Sequence, residues 1–73
     1  MPRELFHQEL AEVQKEILVM GSMVEKATQD ALESLRTGDL EWSQRIVDDD
    51  SAIDQKRYEI EEKTIFVVAS QQP

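Results

Sequence analysis

From Phe6 onward apolar residues recur at Phe6, Leu10, Val13, Ile17, Met20, Val24, Ala27, Ala31 and Leu35. The steps alternate four and three with one slip at the end, the heptad seam of a helix packed along its whole length. Leu18 and Leu32 widen the stripe. Pro2 near the first turn and Glu4 beside it suit a helix start. The pattern predicts a first helix from about residue 3 to about residue 36, roughly 50 Å long at 1.5 Å per residue. Thr37-Gly38-Asp39 then reads as stop, turn and restart. Gly38 suits the left-handed conformation after a helix, and Asp39 suits the cap of the next one. So short a connection sends a second helix, from about residue 40 to about residue 70, back antiparallel to the first.

Wound at ~100° per residue from Ile46, the second helix gathers Trp42, Ile53, Ile60 and Val67 on one side and Val47, Tyr58, Ile65 and Val68 on the other. The apolar arc is close to half the circumference, which predicts contact with more than one neighbour. Asp50, Asp54, Arg57 and Glu61 fall inside that arc. Asp48 points away, and Asp49 sits at the arc's far edge. The acidic run Val47-Asp-Asp-Asp-Ser-Ala-Ile-Asp54 therefore divides, with Asp50 and Asp54 leaning inward.

Asp50 and Asp54 are spaced i, i+4, which stacks two anions on one helical face and calls for protonation, a cation or hydration. Arg57 is placed to neutralise one of them and to share itself with Glu61. Two readings follow: an ion network along a groove, or half of a carboxylate metal site with Asp50, Asp54 and Glu61 as candidate ligands. Two or three oxygens are too few for a hard cation, which takes six or more including water, so another helix would complete it. Gly21 interrupts the first helix at a cost of about 1 kcal/mol relative to Ala. It is read either as a tolerated glycine or as a point of close helix approach.

Composition narrows the function. Seventy-three residues make at most one small domain, and such chains rarely gain more than roughly 3–5 kcal/mol from one core without staples or oligomerisation. There is no Cys to form a disulfide, which fits a reducing compartment. A net charge of −8 with scattered basic residues argues against a nucleic-acid partner. No apolar run approaches the ~20 residues that cross a bilayer, and no signal peptide is expected ahead of the domain, so the default location is the cytoplasm. His7 is the only histidine and reads as surface near a terminus; there is no Glu-x-x-His pair, no glycine-rich phosphate loop and no zinc spacing. The serines have no base placed near them by sequence. The chain is not expected to be an enzyme, and Trp42 and Phe66 read as packing or interface residues.

Taken together, Arg3-x-x-Phe6-x-x-Glu9-Leu10, Met20-Gly21-x-Met23-Val24-Glu25, Ala31-x-x-x-Leu35, Asp39-Leu40, Ile46-Val47-x-x-Asp50-x-x-Ile53-Asp54, Ile60-Glu61 and Gln71-Gln72-Pro73 resemble the first part of a PhoU-family protein. These are cytoplasmic regulators of phosphate uptake and phosphate-starvation signalling. The family is built from two similar three-helix bundles, and the resemblance covers the first two helices of the first bundle. It implies a divalent or ferric ion (iron, zinc, manganese or magnesium) at Glu/Asp-x-x-x-Asp motifs, a form that Asp50-x-x-x-Asp54 matches. It also implies contacts with a phosphate transporter's ATPase subunit and a membrane sensor kinase, at the inner face of the membrane and without spanning it. The expected fold is all-α, an antiparallel two-helix hairpin completed by dimerisation into a four-helix bundle. The alternative is a ligand-free coiled-coil hairpin, an oligomerisation module.

Overall fold

The computed structural model describes residues 2–71, without the side chains of Leu40, Trp42 and Ser43. The packing expected of Trp42 and the last two residues of the Gln71-Gln72-Pro73 motif lie outside the described residues. Helix α1 runs Arg3–Thr37 and α2 runs Leu40–Ser70, packed against each other as an antiparallel hairpin 55 Å long. At the start of α1 the Pro2 carbonyl accepts from the Phe6 N–H at 3.0 Å.

The turn is built from local chemistry. Gly38 takes the left-handed conformation, φ 69°, and its N–H donates to the Ser34 carbonyl at 2.8 Å. The Thr37 hydroxyl donates to the Glu33 carbonyl and accepts from the Asp39 N–H. Asp39 is the N-cap of α2, its Oδ1 accepting from the Glu41 N–H at 2.9 Å. One orphan group at each helix end nearest the turn, the Ser34 carbonyl and the Glu41 N–H, thus finds a partner.

The seam between the helices is a strict heptad, but not the expected one. On α1 the positions turned toward α2 are Phe6, Glu9, Val13, Glu16, Met20, Met23, Ala27, Asp30 and Ser34. On α2 they are Ile46, Asp49, Ile53, Lys56, Ile60, Lys63, Val67 and Ser70. On α2 apolar positions therefore alternate with charged or polar ones, while on α1 Met20, Met23 and Ala27 interrupt the alternation. Leu10, Ile17, Val24 and Leu35, placed in the seam by the apolar pattern, are turned out at 38%, 46%, 45% and 83% exposed. The reason is that the α1 stripe is wider than one partner can cover. The α2 helix packs on the half that carries ion-pair partners for its seam lysines and leaves the uncharged, mostly apolar half bare. Among the described residues only Val13, Ile60 and Val67 are buried apolar side chains.

Candidate functional site

Asp50, Asp54 and Glu61 do not lean toward α1. All three are exposed and lie on the side of α2 that has no neighbour. Arg57 holds two of them: its Nη1 donates to Glu61 Oε1 at 2.9 Å, and its Nη2 lies 3.7 Å from Asp54 Oδ1. The same guanidinium sits over the Tyr58 ring, 4.6 Å from the centroid, and its pKa is raised, chiefly by the bond to Glu61. Asp50 stands outside this network. Among the described residues no three carboxylate or imidazole side chains converge as a metal cluster. The donor set of this face is half a hard-cation site at most, since such ions take six or more oxygens.

The inward acid of the Asp48–Asp50 run is Asp49. Its neighbour across the seam is Asp30, the one buried charged side chain among the described residues, 8% exposed. Lys26 joins them, donating to Asp30 Oδ2 at 2.9 Å and lying 3.8 Å from Asp49 Oδ1. The other Asp49 oxygen, Oδ2, is buried with no donor in reach. The Asp30 carboxyl beside it, reinforced by burial, pushes the Asp49 carboxyl above the ordinary carboxylate range. Asp30 moves the opposite way, its charged form favoured by the neighbouring Asp49 carboxyl and by the bond from Lys26. The signal for Asp49 was present in the sequence: it falls in strict 3-4 register with Ile46, Ile53, Ile60 and Val67. Centring the wheel on the apolar arc instead of on that register sent the wrong aspartates inward.

Further along the seam Lys56 pairs with Glu16 and lies 3.9 Å from Glu59, and Lys63 pairs with Glu12 at 2.6 Å. The Lys56 ammonium lowers the Glu16 pKa, and Glu12 raises that of Lys63. A recess of about 170 Å³ opens here, bounded by Glu16, Lys56, Glu59, Ile60 and Lys63. It is smaller than the roughly 300–1,000 Å³ of small-molecule sites. Both of its lysines are already paired to glutamates, so it presents no free cationic cradle for an anion.

The largest unsatisfied feature is the opposite broad side of the hairpin. Leu10, Ile17, Gly21, Val24 and Leu35 lie within about 60° of one another around α1. Because the helices run antiparallel, the same sense of rotation from the seam carries Val47, Asp50, Asp54, Tyr58, Glu61, Ile65 and Val68 of α2 to the same side. Exposed there are Val47, Tyr58, Ile65 and Val68 beside the acids. One side of the molecule is thus an apolar stripe on α1 flanked by a mixed, acid-bearing row on α2. No helix among the described residues is long and apolar enough to cross a membrane.

The fold class is thus an all-helical antiparallel hairpin with one bare side, apolar on α1 and acid-bearing on α2. The chain belongs to the PhoU family: the PhoU domain model matches residues 17–73. It is 41% identical over 73 residues, its whole length and 33% of the relative's, to a phosphate-specific transport system accessory protein PhoU homolog of Clostridium acetobutylicum. It is 35% identical over 68 residues to the homolog of Pseudomonas putida, covering 93% of this chain and 27% of that protein. To the phosphate-specific transport system accessory protein PhoU of Escherichia coli it is 26% identical over 68 residues, 93% of this chain and 28% of that protein. The chain spans about a third of the length of the curated relatives it matches. No solved structure matches it.

Proposed function

We propose that this chain is a non-enzymatic regulator of phosphate uptake and phosphate-starvation signalling, acting by protein–protein contacts at the cytoplasmic face of the membrane. The observation that carries the reading is the bare broad side, an apolar stripe beside an acidic row on a member of a family whose relatives are named accessory proteins of phosphate transport. A surface of this kind serves association rather than chemistry. The partners that fit the family are the transporter's ATPase subunit and the membrane sensor kinase. A second copy of the chain is the partner for the apolar stripe itself, giving a homodimeric four-helix bundle. Co-sedimentation of the chain with the purified ATPase subunit and with the kinase's cytoplasmic portion tests the regulatory reading; no complex with either removes it.

Asp50, Asp54 and Glu61 are proposed as one half of a divalent or ferric ion site, the other half supplied by a neighbouring helix. The ion would supply charge neutralisation and cross-bridging; this chain's part is to present three carboxylates along one row, two of them released by Arg57. The ligand-free oligomerisation module is the second reading, favoured by the hold of Arg57 on Asp54 and Glu61. Titration with iron, zinc and manganese separates them, since an ion bound only by the native state raises the melting temperature. At a hundredfold excess over Kd the gain is about 2.7 kcal/mol. The rise is expected to vanish in the Asp50→Asn, Asp54→Asn double variant. No rise in the wild-type chain leaves the scaffold reading.

A further inference from the structure

We propose that Arg57 is the resident counter-ion of the Asp54–Glu61 row, a built-in competitor that lowers the affinity of the row for a metal ion. This rests on the ion site proposed above and names the residue that controls it. Asp54 lies three residues before Arg57 and Glu61 four residues after it, the two spacings at which side chains meet along a helix. One guanidinium therefore reaches both acids, Nη1 at 2.9 Å from Glu61 Oε1 and Nη2 at 3.7 Å from Asp54 Oδ1. Its face is used as well, 4.6 Å from the centroid of the Tyr58 ring. All of these partners belong to α2, so the hold is local to one helix and does not depend on which helix lies beside it.

Charge decides what the arrangement does. Asp50, Asp54 and Glu61 offer three negative charges along one row, and Arg57 offsets one of them at the carboxylates an ion would use. A metal ion arriving beside the guanidinium meets a like charge a few ångströms away. The arginine cannot leave by losing its proton, since a guanidinium stays charged at any ordinary pH. It leaves only by rotating away, and that movement is open to it. The Arg57, Asp54 and Glu61 side chains are 45%, 59% and 51% exposed, and exposed ion pairs are individually weak. An ion that binds the carboxylates tightly therefore displaces Arg57, and one that binds them weakly does not.

The test titrates the 73-residue chain with manganese(II) and counts the free ion by electron paramagnetic resonance, circular dichroism confirming the helices of each variant. Arg57→Gln is expected to bind manganese about tenfold more tightly than the wild-type chain at low ionic strength, the effect of one unit charge a few ångströms from a divalent ion. Arg57→Lys keeps the charge and is expected to bind as the wild type does. Arg36→Gln removes the same charge from a pair with Glu33 at the turn end of α1 and is expected to change nothing. An Arg57→Gln affinity equal to or below that of the wild type overturns the competitor role while the ion site stands. So does a gain that Arg57→Lys or Arg36→Gln reproduces in full. Binding by neither the wild-type chain nor Arg57→Gln removes the ion site and the competitor with it.

Discussion

At Asp49 burial and a neighbouring carboxyl act in one direction, against the charged form, while Lys26 at 3.8 Å only partly offsets them. The sign of the consequence follows from linkage. A carboxyl raised in the fold above its ordinary value of 3.8 contributes stability in full below that value. The contribution is lost as pH rises through the folded-state pKa. Asp30, Glu16 and Glu33 are lowered by their partners and act oppositely, their contribution present above the ordinary range and lost as pH falls through their depressed values. Asp49→Asn keeps the shape, removes the like charge and gives Asp30 a neutral donor. The variant is expected to melt higher than the wild-type chain at pH 7, the difference closing as pH approaches 4. Thermal unfolding followed by circular dichroism across that interval checks it. A variant that melts lower at pH 7 shows instead that the attraction of Lys26 outweighs the repulsion of Asp30.

At the scale of the helices, the turn carries the hairpin's direction, and its chemistry is legible residue by residue. Gly38 occupies a left-handed position and Asp39 caps α2, the roles their types suit. Asp39→Ala strips the acceptor from the Glu41 N–H and is expected to lower stability by about 1 kcal/mol in urea unfolding. An unchanged midpoint places the strength of that turn in Gly38 and Thr37 alone. The helices themselves were legible because the 3-4 spacing runs through α1 with a single slip at its end and no proline interrupts either element. What was not legible is which half of a wide apolar stripe meets the partner. The hydrophobic effect is non-directional and ranks Leu10 with Val13, and Ile17 with Met20. The seam found includes groups the apolar pattern ignores: Glu16 and Glu12 reach Lys56 and Lys63 across it. The same omission turned Asp50 inward on the wheel in place of Asp49. The candidate carboxylate row was correctly gathered on one face with Arg57, but that face looks away from α1.

For the whole molecule the decisive quantity is how little it buries. Val13, Ile60 and Val67 are the buried apolar side chains among the described residues, while Ile17, Leu18, Val24, Leu32, Leu35, Ile65 and Phe66 all stand exposed. Fully burying a large aliphatic side chain is worth roughly 1.5–3 kcal/mol, so three of them fall well short of the backbone entropy lost in ordering two long helices. On the proposed self-association, the bare side supplies further burial and folding and dimerisation become one equilibrium. The melting temperature of the chain is therefore expected to depend on its concentration. Each tenfold increase adds about 1.4 kcal/mol to the dimer, and for a unit of this combined size that corresponds to a rise of about 3–6 °C. Melts at 1, 10 and 100 μM, on the order of the concentrations that light scattering reads, measure the slope directly. A melting temperature independent of concentration, with a monomer's scattering mass, means that the two helices are stable on their own seam. The alternating charged layers would then carry more of the fold than the apolar side left bare.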